Sequence, residues 1–148
     1  MGQYINSSLA KVEALKAGYD EAIMLTPAGN VAEGSGENLF VVSRGVIYTP
    51  PVVDGVLAGL TRDSVIALAR DEGYEIVEKS LVRSDLYFAD EVFCTGTAAE
   101  VVPIVEVDDR RVGAGVPGPV AKTLIGLYRQ AVTGQLDRYK VWNEYVRD

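Results

Sequence analysis

The spacing of apolar and polar positions predicts helices and strands that alternate along the chain. Helical spacing marks residues 7–17, 61–71 and 119–131, with a short helix at 84–87, and the expected N-caps of the first two are Ser7 or Ser8 and Thr61. Strand-like runs cover 21–26, 31–42, 46–50, 74–81, 91–96 and 101–107. Tyr139, Trp142, Tyr145 and Val146 form an apolar stripe expected to dock on the core. This order predicts one α+β domain with a mixed sheet and flanking helices.

The stretch VAEGSGENLF, residues 31–40, departs from the strand pattern around it. Glycine weakens a strand, and a carboxylate in apolar surroundings needs a cationic partner. Glu33 is therefore a candidate functional residue, since a carboxylate fixed near a sheet can keep a pyridinium nitrogen protonated. The alternative is a surface hairpin whose charges serve solubility. Glu37 and Asn38 either contact the same site or hold the kink together.

Two corners combine glycine and threonine at the ends of predicted elements. At Gly59-Leu60-Thr61, backbone N–H groups and a hydroxyl at the start of a helix form a candidate anion site. Gly96-Thr97-Ala98 has the same character after a strand. Each corner alone is equally explained as a simple cap or turn. Two such corners and a fixed carboxylate together predict a phosphorylated cofactor with a cationic ring.

Composition excludes several classes of function. The 148 residues carry a formal net charge of −7, which argues against nucleic-acid binding, and no apolar run is long enough to span a membrane. The chain has no histidine, which removes imidazole-based triads and most zinc sites. Cys94 is its single cysteine and is expected to be a small buried apolar residue. Chemistry must rest on lysine, tyrosine, carboxylates or a cofactor.

The chain resembles the fold-type IV pyridoxal-phosphate aminotransferases, and most closely the branched-chain amino-acid aminotransferases. Five segments that span nearly the whole chain carry the resemblance: 4–42, GVIYTPP (45–51), GLTRDSVIALARDEG (59–73), LYFADEVFCTGTAAEVVPI (86–104) and VGAGVPGPV (112–120). It implies a large-domain pseudo-barrel of mixed sheet, pyridoxal 5'-phosphate as cofactor, and amino transfer between Leu, Ile or Val and 2-oxoglutarate. It also implies a cytoplasmic homo-oligomer without nucleic-acid, membrane or metal partners.

D-amino-acid transaminases and aminodeoxychorismate lyases share this fold and remain alternatives. They usually lack the GENLF and TGTAAEV segments together, whereas this chain has both, at 36–40 and 95–101. A non-catalytic ligand-binding or assembly module is the alternative from a different class.

The resemblance implies a role for each matching residue. Glu33 would pair with the pyridine nitrogen, and Tyr4 would hydrogen-bond the phenolic oxygen of the cofactor. Leu60 and Thr61 would bind the cofactor phosphate through backbone and side-chain groups, and Thr97 would add a further phosphate contact. The amides of Thr97 and Ala98 would receive the substrate carboxylate. Gly34 and Gly36 would let the backbone pass close to the ring.

The resemblance also implies that a catalytic residue is missing. The lysine that carries the cofactor in this family precedes the tyrosine matched by Tyr4 and falls before Met1; Lys11, Lys16, Lys79, Lys122 and Lys140 do not match it. We expect residues 1–148 to be the large C-terminal domain, without the small N-terminal domain that supplies an arginine to the phosphate. The chain alone should then be inactive, with its cofactor bound or absent. A truncation, a proteolytic fragment, a split-gene product and a decayed domain all fit.

Overall fold

The computed structural model describes residues 4–144, in which helices flank a five-stranded mixed sheet. The helices are α1 (Tyr4–Lys16), α2 (Leu60–Asp71), α3 (Arg83–Tyr87) and α4 (Pro119–Val132), with 3₁₀ turns at Val52–Asp54 and Asp137–Trp142. The strands are β1 (Ile23–Leu25), β2 (Val31–Gly34), β3 (Asn38–Ser43), β4 (Val46–Thr49), β5 (Glu75–Glu78), β6 (Glu91–Gly96), β7 (Glu100–Ile104), β8 (Glu106–Val107) and β9 (Arg110–Arg111).

The main sheet has the order β5-β4-β3-β6-β7. Within this sheet β4 and β5 pair in parallel, and all other neighbouring strands pair antiparallel. The pairs β1-β2 and β8-β9 form two separate antiparallel sheets. The expected α+β class with a mixed sheet is confirmed. Among the helices of residues 4–144, none has the length and apolar character that crossing a bilayer requires.

The central pair of strands, β3 and β6, divides the core into two faces. Phe40 lies opposite Phe93, and their rings stack with centroids 5.0 Å apart. Helices α2 and α4 pack on this face through Leu68 and Leu124, both fully buried. The alternate residues of the two strands, Leu39, Val41, Val92 and Cys94, point to the other face and pack with Val31, Leu81 and Leu86. Period-2 alternation thus produces both halves of the core.

Cys94 is a core residue, as the sequence predicted. Its side chain is buried within the second cluster. Burial raises the pKa of its thiol, because the charged thiolate is disfavoured in apolar surroundings.

The predicted cap of the first helix is wrong, whereas its predicted end is right. Ser7 and Ser8 lie inside α1, where serine costs only about 0.5 kcal/mol relative to alanine and its helix-forming neighbours prevail. Gly18 ends the helix in a left-handed conformation. Its N–H donates to Leu15, and the N–H of Tyr19 donates to Ala14. These two bonds form a Schellman motif.

The end of the chain docks on the core as far as it is described. Tyr139 is buried, its hydroxyl donates to the Asp71 carboxylate, and its ring centroid lies 4.3 Å from that of Trp142. The other two residues of the predicted stripe, Tyr145 and Val146, lie outside the described residues.

Helix α4 has its N-terminus capped from within the fold. The buried carboxylate of Glu91 accepts hydrogen bonds from the N–H groups of Val120 (3.0 Å) and Ala121 (2.9 Å). A side chain at Gly118 would collide with the carboxyl group of Glu91, so only glycine fits there. The positive end of this helix is therefore already occupied.

Helix α1, in contrast, buries none of its residues. Ile5, Leu9 and Val12 follow one another at i, i+4 and i+7 and so share one helix face. Their exposed fractions are 63%, 63% and 48%. This face of α1 is an apolar surface without a partner within residues 4–144.

Candidate functional site

One cleft lies at the end of the main sheet where β3 begins and β6 ends. Its volume is about 840 Å³, within the range of small-molecule sites. The structure brings together in its wall the six residues for which the resemblance implies a cofactor or substrate contact: Tyr4, Glu33, Leu60, Thr61, Thr97 and Ala98. These residues come from α1, β2, α2 and the turn after β6.

Glu33 on β2 is held in a fixed position. Its Oε2 accepts hydrogen bonds from the backbone N–H of Leu57 (3.0 Å) and from Nδ2 of Asn38 (3.3 Å). Within the described residues, both bonds reach Oε2 and leave Oε1 available to a donor in the cleft. Glu33 is therefore an anchored carboxylate, and the surface-hairpin alternative does not describe it.

Helix α2 points the start of its first turn into the cleft. Gly59 is its N-cap and makes no side-chain capping bond. The first bond of the helix runs from the N–H of Asp63 to the carbonyl of Gly59. The N–H groups of Leu60, Thr61 and Arg62 precede that bond and belong to the group that a helix cannot satisfy internally.

The predicted capping role of Thr61 is wrong, because the helix begins one residue before it. The Thr61 side chain is buried, and its hydroxyl lies 3.5 Å from that of Tyr128 on α4. The first turn thus meets the cleft with backbone N–H groups and the positive end of the helix dipole, an arrangement suited to an anion.

The second predicted corner is a hairpin turn and does not start a helix. Residues 97–99 connect β6 to β7, with Gly96 paired to Glu100. Glu100 has a φ of 59°, a left-handed conformation that closes the turn. The exposed residues Thr97 and Ala98 border the cleft. Any anion at this corner would meet the amides of a turn.

The two glycines of the kink differ in the space around them. A side chain at Gly34 would lie 2.9 Å from Oε2 and 3.3 Å from the backbone oxygen of Glu37. Gly34 therefore makes room for Glu37 inside the kink, and the expected approach of the kink backbone to a ring stays a prediction. A side chain at Gly36 would meet open space.

Glu37 ties the kink to the neighbouring strand. Its carboxylate accepts from the N–H of Gly36 at 3.1 Å, and its Cγ lies against Gly96. Burial and the nearby Glu21 carboxylate raise the pKa of Glu37. Glu21 itself pairs with Lys11 at 2.6 Å. Glu37 thus lines the cleft mainly as part of the kink.

Three residues of the cleft were missed by the sequence reasoning or left open in it. Asn38 is a polar residue at the start of an otherwise apolar run, a pattern from which the sequence could have indicated a functional role. Thr95 lies two residues before Thr97 on the same strand; its hydroxyl is buried and has no hydrogen-bond partner within residues 4–144. Leu57 contributes backbone atoms, which no side-chain pattern reveals.

The donor set of the cleft fits a phosphorylated molecule with a cationic ring. The α2 amides suit the anion, the anchored Glu33 suits the cation, and the Thr95 hydroxyl remains available in the wall. Among the described residues that line the cleft, none is lysine, arginine or histidine. Backbone donors would therefore be the main contribution of this chain to phosphate binding.

Comparison with known proteins gives consistent matches. The sequence profile of the amino-transferase class IV family matches residues 1–107. A branched-chain-amino-acid aminotransferase of Pseudomonas aeruginosa is 51% identical over 146 residues, which are 99% of this chain and 47% of that protein. The corresponding enzyme of Escherichia coli K12 is 44% identical over 145 residues, 98% of this chain and 47% of that protein. The chain spans about half the length of the curated relatives it matches.

A solved structure agrees along almost the whole chain. The T.th. branched-chain amino acid aminotransferase, complexed with N-(5'-phosphopyridoxyl)-L-glutamate, superposes with a TM-score of 0.96 at 53% identity. The match covers 99% of this chain and 49% of that one.

Proposed function

The chain belongs to the class IV aminotransferase family, and we propose that it is the cofactor-binding part of a branched-chain amino-acid aminotransferase. The whole protein would move amino groups between Leu, Ile or Val and 2-oxoglutarate with pyridoxal 5'-phosphate. The observation that carries this proposal is the cleft in which an anchored carboxylate and the open N-terminus of α2 lie together. The three relatives named above, all branched-chain aminotransferases, support the substrate class.

The cofactor, when bound, supplies a ring that withdraws electrons from the substrate carbon. The residues of this chain would bind and orient it. Glu33 would hold a proton on the ring nitrogen, and Tyr4 would donate to the phenolic oxygen. The N–H groups of Leu60 and Thr61 would receive the phosphate, with Thr97 as a further contact. The amides of Thr97 and Ala98 would orient the substrate carboxylate.

We infer that the covalent lysine is not supplied by the described residues that line this cleft, since none of them is a lysine. Lys11 is engaged elsewhere, because its ammonium donates to Glu21 at 2.6 Å and to the backbone oxygen of Asp20. The hydrogen bond with Glu21 raises the pKa of Lys11 and keeps the amine protonated and unreactive. The 148-residue chain would therefore bind the cofactor without a covalent bond and would not catalyse turnover alone.

The activity is tested by joining this chain to the N-terminal half of the Pseudomonas aeruginosa relative. We expect the chimera to transfer the amino group of leucine to 2-oxoglutarate, because the added half would supply the lysine. The measurement is glutamate formation from leucine or D-alanine, and pyruvate release from aminodeoxychorismate. Preference for D-alanine or aminodeoxychorismate would assign the chain to the D-amino-acid transaminases or the lyases.

In the same chimera, Glu33→Gln should lower turnover about a hundredfold, which corresponds to roughly 2.7 kcal/mol of the activation barrier. Glutamine keeps the shape and the hydrogen bonds but removes the charge that supports a protonated ring. The measurement is kcat with leucine. Glu37→Gln is the matched control and should cost far less, because Glu37 holds the kink. Equal small losses in both variants would contradict the assigned role of Glu33.

Treatment of the 148-residue chain with pyridoxal 5'-phosphate and borohydride should leave no stoichiometric pyridoxyl-lysine. The reason is that no lysine of this chain faces the cleft among the described residues. Mass spectrometry of the peptides provides the measurement. One lysine fully modified at equimolar cofactor would refute this expectation.

We also propose that the chain self-associates through the exposed face of α1. Apolar surface of this kind promotes association in water. Light scattering at micromolar concentration should give a dimer or a larger species, and Leu9→Glu should shift it towards monomer. Glu13→Gln, on the same helix, is the control. A wild-type chain that stays monomeric would disprove this proposal.

A further inference from the structure

We propose that Asn38 is the positioning residue of the cleft: its amide fixes the Glu33 carboxylate and joins it to the loop that leads into α2. This inference rests on the proposed function, since it concerns how the ring-binding carboxylate is held relative to the phosphate-binding helix. Asn38 does not itself need to contact the cofactor.

Asn38 makes two donor contacts with a single NH₂ group. Nδ2 donates to the backbone oxygen of Leu57 at 2.8 Å and to Oε2 of Glu33 at 3.3 Å. The N–H of Leu57 donates to the same Oε2 at 3.0 Å. Glu33, Asn38 and Leu57 are therefore each hydrogen-bonded to the other two.

The other atom of the Asn38 amide packs against the start of α2. A side chain at Gly59 would collide with Oδ1 of Asn38, closer than any real contact allows. The φ of Gly59 is −75°, which any residue can adopt. Glycine is therefore needed at this position for space and not for backbone conformation. Gly59 is the N-cap of α2, directly before the N–H groups of Leu60 and Thr61. Asn38 thus reaches both candidate subsites.

Asn38 is itself held firmly enough to act as a reference point. It is only 5% exposed, and it is the first residue of the central strand β3. The register of β3 with β6 places it opposite Thr95. A buried side chain whose NH₂ group is already hydrogen-bonded loses little entropy on binding, so a ligand would meet a preformed site.

The test measures binding of pyridoxamine 5'-phosphate and of inorganic phosphate to the 148-residue chain by calorimetry. Asn38→Ala should weaken pyridoxamine phosphate about tenfold, the value of one hydrogen bond to a charged group. The affinity for inorganic phosphate, which does not need Glu33, should fall less in the same variant. Asn143→Ala is the matched control: it removes an amide bond of the same type, from Nδ2 to the carbonyl of Ala131 at 3.0 Å, at the other end of the fold.

Asn38→Asp separates positioning from space filling. It preserves the volume and the oxygen against Gly59 but replaces the donor with an acceptor that faces Glu33 and Leu57. We expect a loss at least as large as that of Asn38→Ala. Circular dichroism checks that both variants are folded. Binding of pyridoxamine phosphate by folded Asn38→Asp as tight as wild type would overturn the proposal.

A double-mutant cycle identifies which idea fails. If Asn38 acts through Glu33, Asn38→Ala should cost little more once Glu33→Ala, which removes the hydrogen-bonded carboxylate, is present. Full additivity would overturn the positioning role while leaving the proposed function in place. If Glu33→Ala alone does not change the affinity for pyridoxamine phosphate, the assigned role of Glu33 in holding the ring fails, and the positioning role fails with it.

Discussion

The antiparallel pairing of β3 with β6 is the constraint on which the rest of the structure depends. It stacks Phe40 on Phe93 beneath α2 and α4 and turns Leu39 and Cys94 to the opposite cluster. A slip of one residue would exchange the faces of a whole strand and bury its polar residues in the wrong place. The same register sets Asn38 opposite Thr95 at the end of the pair. The pairing that builds the core therefore also places polar groups in the wall of the cleft.

The two long helices packed on this sheet differ at their N-termini, and the difference locates the site. Buried N–H groups need partners, and at α4 the Glu91 carboxylate provides them. At α2 the N-cap is Gly59, whose lack of a side chain leaves the first turn facing the cleft. One helix end is thus capped by a side chain of the fold, and the other has no side-chain cap and borders the cleft.

Much of the fold and of the candidate site could be predicted from the sequence. Burial imposes periodicity on strands, and the motifs match a family along most of the chain. The strand 91–96 and the stop at Gly18 were found at their true positions. The caps at Ser7 and Thr61 were wrong, since a serine or threonine is tolerated inside a helix as well as before it. The contact of Gly34 with Glu37 was not predicted, since sequence cannot say which side chain fills a gap. The backbone of Leu57 has no sequence signal at all.

The charge of the cleft limits what this chain can do by itself. Two carboxylates, Glu33 and Glu37, line it, and among the described residues no cationic side chain does. A helix N-terminus offers about half a positive charge, less than a phosphate dianion requires. A protonated ring would balance the charge of Glu33. A phosphate in this cleft would still lack a full counter-charge, so we expect its tight binding to need a cation that the described lining residues do not supply.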